Sequence, residues 1–134
     1  MCITCVTKAI AKCGEGFEIV YRGLIASTDA LLVKGYPEGD TLQQLRAEIL
    51  SELDAGGLGD YFFERRYPMV AAHMTVARFT RQPQNLTALA ECLKALRQQN
   101  FGTSSVTKLE LVENDWYMRA QTLRLEASYP LRAI

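Results

Sequence analysis

A strand pattern, a short turn and a second strand pattern follow one another near the start of the chain, and they restrict the fold more than any other feature. Residues 17–26 are rich in β-forming side chains and alternate loosely in polarity. Ser27, Thr28 and Asp29 favour a turn, and residues 30–34 resume the strand pattern. Because such a hairpin pairs its strands side by side in opposite directions, the sequence predicts an antiparallel sheet.

Three helical patterns accompany this hairpin. The first covers residues 3–13 and ends at Gly14. The second begins at Asp40 or Thr41 and continues to Leu53 with apolar side chains at helical spacing. The third extends to Gln99 and carries a leucine stripe that we expect to be buried, made of Leu86, Leu89, Leu93 and Leu96.

Three further strands are predicted in the second half of the chain. They cover residues 71–79, 106–112 and 118–127. The resulting order is α-β-β-α-β-α-β-β. This order predicts the α+β class, with antiparallel sheets flanked by helices.

The bulk properties fit a single domain, residues 1–134, with one core. Lysine plus arginine and aspartate plus glutamate each number fifteen. A formal net charge of zero argues against broad electrostatic binding of duplex DNA. It is compatible with a small anionic ligand held by local arginines. No apolar run approaches the ~20 residues of a membrane span, and no secretory signal pattern is present. We therefore expect a cytoplasmic protein without membrane contact.

The four cysteines are Cys2, Cys5, Cys13 and Cys92. The first two have the Cys-x-x-Cys spacing that occurs in zinc and redox sites. No second pair of this kind follows. The alternative interpretation is that all four are small apolar residues on helices, with reduced thiols. We expect no metal site.

His73 is the only histidine in the chain, and it lies in a strand pattern with Met74, Thr75 and Val76. Because side chains alternate along a strand, His73 and Thr75 should share one face, with the two apolar residues on the other. An imidazole beside a hydroxyl suits phosphate chemistry, since histidine can give or take a proton near neutral pH. Strict alternation places Arg78 on the face opposite His73.

Residues 66–68 (Arg-Tyr-Pro) and 72–79, which include the His-x-Thr-φ pattern of His73 and Thr75 (φ, a hydrophobic residue), resemble the second signature of the 2H phosphoesterases. That superfamily includes 2'-5' RNA ligase-like proteins and 2',3'-cyclic nucleotide phosphodiesterases. The similarity continues in chain order through further segments, namely residues 17–24, 42–53, 109–115 and 129–131. The resemblance implies a 2H phosphoesterase-like (LigT-like) fold. In it, residues 1–60 form an incomplete first lobe that lacks its leading strand, and residues 61–134 form the second lobe.

Members of this family carry two His-x-[Ser/Thr]-φ motifs whose histidines face one cleft. One histidine deprotonates the nucleophile, the other protonates the leaving oxygen, and the two hydroxyls hold the phosphate. His73 and Thr75 match the second motif, whereas the first motif would lie before Met1. The resemblance implies that His73 acts as general acid or base and that Thr75 holds phosphate. The substrate would be a 2',3'-cyclic or 2'-5' phosphodiester of RNA or a small nucleotide, handled without a metal or organic cofactor.

Three residues are additional candidates for substrate binding. Arg65 and Arg66 could bind phosphate, because guanidinium groups match its oxygens in a bidentate manner; the alternative is a solvated loop that balances Glu64. Tyr117, next to Trp116, could stack on a base. The alternative for this aromatic pair is a cap on the edge of the core.

The single motif leaves three explanations open. The natural protein could be longer and carry the first motif upstream. Two copies could combine their His73 residues in a composite site, as a homodimer formed through the incomplete first lobe, because a missing strand exposes a sheet edge. Alternatively, the chain could be a catalytically silent nucleotide- or RNA-binding module or a structural one. Whether it is an enzyme stays open at this point.

Overall fold

The computed structural model describes residues 2–58, 72–115 and 119–133, and its fold belongs to the α+β class. Its helices are α1 (Cys2–Cys13), α2 (Thr41–Ala55) and α3 (Leu86–Ala95). Its strands are β1 (Phe17–Ala26), β2 (Ala30–Pro37), β3 (Ala72–Arg78), β4 (Asn100–Val106), β5 (Lys108–Glu113) and β6 (Arg124–Pro130). Within the described residues, four strands form one sheet in the order β3-β2-β1-β4, and β5 pairs with β6. The predicted fold class is confirmed.

The predicted N-terminal hairpin is also confirmed. Strand β1 has the predicted bounds and pairs antiparallel with β2. The hydroxyl of Ser27 closes the turn by accepting hydrogen bonds from the backbone N–H groups of Asp29 (3.2 Å) and Ala30 (3.1 Å). Strand β2 continues three residues beyond the predicted end at Lys34. The additional residues include Gly35 and Pro37, which are weak strand formers. The strand-forming pattern in the sequence therefore ends before the strand does.

Strand β4 is absent from the sequence prediction, because most of its side chains are small or polar and show no alternation. It forms by pairing with β1. The N–H of Gly23 donates to the carbonyl of Gln99 (2.9 Å), and at the other end the hydroxyl of Ser105 donates to the carboxylate of Glu18 (3.2 Å). These contacts define an antiparallel pair. The strand predicted at 106–112 corresponds to β5, which begins two residues later, at Lys108, because Val106 is the last residue of β4.

Helix α3 is shorter than predicted and is less buried. Asn85 caps it by accepting a hydrogen bond from the N–H of Ala88 (2.9 Å), and the helix ends at Ala95 instead of Gln99. The prediction of a buried stripe is wrong for Leu86, which is 58% exposed because it occupies the first helical position. The other three leucines of the stripe are half-buried. Strand β6 also begins later than predicted, at Arg124.

The described residues form two compact units that interleave along the chain. The helical unit comprises residues 2–17, 39–58, 106–115 and 119–133, with α1, α2 and the β5–β6 hairpin. The sheet unit comprises residues 18–38 and 72–105, with the four-stranded sheet and α3. Each unit combines chain segments from both sides of residue 60. The predicted division into lobes at that residue stays a prediction.

Helices α1 and α2 supply the core of the helical unit. Val6 and Ile10 of α1 are buried against Leu45 of α2, which is 1% exposed. Half-buried hydrophobic residues pack around them, among them Leu109 and Tyr129 from the β5–β6 hairpin. Because each side chain covers the others, the two helices stabilise each other through this apolar contact.

A charged cluster adds a second connection between these helices. The ammonium of Lys12 donates to the carboxylates of Glu48 and Glu52, at 2.5 Å each. These hydrogen bonds raise the pKa of Lys12, and the bond from Lys12 lowers the pKa of Glu52. Because the Lys12 side chain is 56% exposed, water screens these ion pairs, and we expect the cluster to contribute less stability than the apolar contact.

The first prediction concerns the α1–α2 core. Leu45→Ala should lower the free energy of unfolding by about 2–5 kcal/mol, because it leaves a cavity in a closed apolar contact. Leu50→Ala, on the same helix but 38% exposed, is the matched control and should cost less than about 1 kcal/mol. Urea titrations followed by circular dichroism at 222 nm measure both. Equal losses for the two variants would contradict the assignment of Leu45 to the core.

Candidate functional site

The pairing of β2 with β3 sets the surroundings of His73. The two strands are antiparallel, with Lys34 opposite His73 and Leu32 opposite Thr75. Residues directly opposite each other in such a ladder point to the same face of the sheet. His73 and Thr75 therefore share one face, as their alternation predicts, together with Lys34. We call this face of the four-stranded sheet, which includes Arg22, Lys34, Tyr36, His73 and Thr75, the His73 face.

On β2, side chains on the two faces of the sheet differ in burial, whereas on β3 both faces are exposed. Val33 lies opposite Met74 on the other face, where it is 2% exposed, and Ile19 on that face is also buried. His73 and Thr75, by contrast, are exposed. Met74 and Val76, on the other face of β3, are also exposed, at 44% and 50%. Burial on that face therefore anchors β1 and β2, and His73 and Thr75 are accessible from solvent.

Strand β3 contains a β-bulge at Val76, and because of this bulge the predicted face of Arg78 is wrong. Beyond it, Arg78 pairs with Ala30, which lies an even number of residues from Lys34 along β2. Arg78 therefore lies on the same face as His73, whereas strict alternation placed it on the opposite one. The extra residue of the bulge reverses the alternation of all positions that follow it.

Tyr36 brings two cations together on this face. It lies two residues from Lys34 on β2 and is 40% exposed. The guanidinium carbon of Arg22 lies 4.9 Å from the centroid of the Tyr36 ring, and the ammonium of Lys34 lies 5.6 Å from it. Both distances are those of cation–π contacts. The ring therefore holds two positive charges near the position of His73.

A second bulge fixes Arg22 in this position. The β1–β2 register shifts between Tyr21 and Leu24, so Arg22 and Gly23 occupy the bulge. Gly23 has φ = +87°, a conformation that glycine adopts readily. A Cβ atom on Gly23 would lie 2.6 Å from the carbonyl oxygen of Arg97. Glycine is thus required both for the backbone conformation and for the close approach.

Two carboxylates also belong to this face, but they lie at one end of it. Glu38 directly follows the end of β2, and Glu18 is its neighbour on β1. The carbonyl of Glu18 accepts a hydrogen bond from the N–H of Glu38 (2.8 Å). The carboxylate of Glu18 is engaged by the hydroxyl of Ser105. The positive charge is therefore concentrated in the middle of the sheet, next to His73.

This arrangement can bind a phosphate group. Directly opposed Cα atoms are about 5 Å apart, and residues two apart on a strand are about 7 Å apart. One phosphate above the sheet would therefore lie within reach of the His73 imidazole, the Thr75 hydroxyl and the Lys34 ammonium. These groups offer proton transfer, a neutral hydrogen bond and a positive charge, respectively.

The comparisons with known proteins leave the family open. The sequence matches no protein-family model. It also matches no curated protein. The functional assignment therefore depends on the chemistry of the His73 face.

Several predicted features lie elsewhere. Arg65, Arg66, Trp116 and Tyr117 fall outside the described residues, so their predicted binding roles stay predictions. Within residues 2–58, 72–115 and 119–133, no group of three or more His, Cys, Asp or Glu side chains could hold a metal ion. In that part of the chain, no helix combines the length and apolar character required to cross a membrane.

The described cysteines behave as apolar helix residues. Cys5 is buried and Cys13 is half-buried on α1, whereas Cys92 is exposed on α3. All three are free thiols, and burial raises the pKa of the Cys13 thiol. A raised pKa keeps a thiol protonated and unreactive, which fits the structural interpretation of this residue.

A separate cavity of about 390 Å³ lies beside the end of β3 that is farther from His73. It is lined by the loop that leads from Arg78 to Gln84 and by Leu89 of α3. Neither His73 nor Thr75 contributes to it. This cavity is therefore distinct from the described residues around His73.

Sequence reasoning missed three residues of the His73 face: Arg22, Lys34 and Tyr36. A partial signal exists, because Lys34 and Tyr36 alternate within the extended β2. The decisive fact is that β2 pairs with β3, and the two strands are separated by helix α2 in the chain. Nothing in the local pattern of either strand specifies that register.

The second prediction concerns the bulge at Gly23. Gly23→Ala should destabilise the protein more than Gly39→Ala, because both positions have positive φ but only Gly23 has a backbone atom within contact distance of the added methyl. The positive φ alone should cost about 1–2 kcal/mol in each variant. Thermal unfolding measured side by side tests this difference, and equal melting temperatures would contradict the close approach at Gly23.

Proposed function

We propose that this chain is a 2H-type phosphoesterase, with a LigT-like fold, that acts on 2',3'-cyclic or 2'-5' phosphodiesters of RNA or small nucleotides. The observation that carries the proposal is the shared exposed face of His73 and Thr75, with Lys34 opposite the imidazole. An imidazole, a hydroxyl and a cation around one open position suit a phosphodiester better than a neutral or cationic substrate.

In the proposed reaction, the neutral imidazole of His73 accepts a proton from a water molecule. The water oxygen then attacks phosphorus, and one phosphorus–oxygen bond of the cyclic ester breaks. The hydroxyl of Thr75 donates a hydrogen bond to a non-bridging phosphate oxygen and holds the group in place. Hydrolysis is proposed ahead of ligation because water is the abundant nucleophile. The mechanism uses no metal or organic cofactor.

A second candidate function is a catalytically silent module that binds nucleotide or RNA. The contact of Tyr36 with Arg22 and Lys34 favours it, since aromatic rings and cations on an exposed sheet are suited to single-stranded nucleic acid. Binding without turnover is the outcome that would select this function. The predicted homodimer, in which two His73 residues complete one site, is a further proposal that light scattering tests directly.

The third prediction tests the catalytic role of His73 and Thr75. With 2',3'-cyclic nucleotides as substrates, His73→Ala should reduce turnover by about 10²–10⁴-fold, the usual value of one general acid–base group. Thr75→Val removes one hydrogen bond to a charged group, worth about 1.5–3 kcal/mol, and should reduce turnover by about 10–100-fold. Thr87→Val, at an exposed position of α3, is the matched control and should retain full activity.

The variants must keep the circular dichroism spectrum of the unaltered protein for this comparison to hold. Turnover that persists in His73→Ala would contradict the proposed function. If the unaltered protein binds nucleotides saturably without turning them over, and His73→Ala weakens that binding, the silent binding module is selected instead.

A further inference from the structure

The proposed reaction needs a second proton-transfer group, and the chain contains only one histidine. The first group takes a proton from the nucleophile. A second group must give a proton to the oxygen that leaves phosphorus, because an alkoxide is a poor leaving group in water. A side chain close to His73 that carries a transferable proton would meet this requirement.

Lys34 is the closest such residue in the ladder. It lies directly opposite His73 across the β2–β3 pair, on the same exposed face. Its ammonium is a compact charge with three N–H donors, on a side chain long enough to reach above the neighbouring strand. A phosphate bound between β2 and β3 would have the imidazole on one side and the ammonium on the other.

The other charged groups of this face are less suitable. Arg22 and Arg78 hold their protons too tightly to act as acids, since a guanidinium stays protonated in proteins. Glu18 and Glu38 are negatively charged and would repel a phosphate ester. Lys34 is thus the one residue among the described members of this face that combines positive charge with a transferable proton.

We propose that Lys34 is a catalytic residue that protonates the leaving oxygen, so that His73 and Lys34 together complete the site within a single chain. This inference rests on the proposed phosphoesterase function. It replaces the second histidine of a two-histidine site with a lysine from the neighbouring strand.

The proposed step balances in atoms and electrons. His73 removes a proton from water, and the water oxygen forms a bond to phosphorus. The bond between phosphorus and the 2' oxygen breaks, its electron pair stays on that oxygen, and a proton from the Lys34 ammonium neutralises it. The products are a 3'-phosphomonoester with a free 2' hydroxyl, an imidazolium and a neutral amine. Transfer of a proton from the imidazolium to the amine, through solvent, restores the starting state.

The surroundings of Lys34 favour this role. Its ammonium contacts the Tyr36 ring at 5.6 Å, and the Arg22 guanidinium contacts the same ring at 4.9 Å. The ring restrains the long lysine side chain, which lowers the entropy lost when substrate binds. The Arg22 charge provides a neighbouring cation that attracts the phosphate without competing as an acid.

The fourth prediction tests Lys34 with two substitutions and a control. Lys34→Ala should reduce kcat on 2',3'-cyclic nucleotides by about 10²–10⁴-fold. Lys34→Arg keeps the positive charge without an available proton, so it should restore KM but not kcat. Lys94→Ala, an exposed lysine of α3 in the same unit, should leave both constants unchanged. Added ethylammonium should partly restore kcat of Lys34→Ala, because it supplies the missing acid, and should not accelerate the unaltered protein.

The outcomes separate this inference from the proposed function. Turnover that is lost in His73→Ala but unchanged in Lys34→Ala overturns the role of Lys34 alone. Full activity of Lys34→Arg overturns proton donation, because charge would then be sufficient. Absence of turnover in the unaltered protein overturns both proposals. A kcat per chain that is constant over a hundredfold range of protein concentration supports a site completed within one chain, and a kcat that falls on dilution overturns it in favour of a composite dimeric site.

Discussion

The antiparallel pairing of β2 with β3 is the constraint on which the candidate site depends. It sets Lys34 opposite His73 and Leu32 opposite Thr75, and it buries Val33 on the other face. The register of this ladder decides which β2 side chains lie beside His73, because a slip by one residue would place Val33 or Gly35 opposite it instead of Lys34. On β2, Val33 is buried on one face, and the next residue, Lys34, lies on the exposed face beside His73.

Much of the fold follows from local sequence patterns. The bounds of β1 and the turn at Ser27 were predicted because a run of strand-forming residues is followed there by a run of turn-forming residues. Helix α2 carries Leu45 and Leu53 at helical spacing, and both are buried. Strand β4 could not be predicted in this way. Its side chains lack an apolar alternation, so it exists only because β1 offers it a partner, and such non-local pairing leaves no local signal.

In the candidate site, too, some features follow from local sequence patterns and others only from non-local pairing. The shared face of His73 and Thr75 follows from alternation within one strand and needed no knowledge of the fold. Lys34 could be identified only from the pairing between strands that are distant in the chain. Arg78 shows the limit of alternation itself, since the bulge at Val76 reversed the predicted face. The sequence thus identifies the candidate residue His73, and the tertiary structure identifies its neighbours.

The central claim is that the open face around His73 binds the phosphate of a nucleotide. Because His73 is the only histidine, the imidazole C–H signals in a proton NMR spectrum belong to it alone. We would titrate the protein with uridine 3'-monophosphate at constant pH and ionic strength and follow these two signals. A saturable shift that is weaker in Lys34→Ala and unchanged in Lys94→Ala is the predicted result. Imidazole signals that do not move as the nucleotide reaches millimolar concentration would contradict the claim.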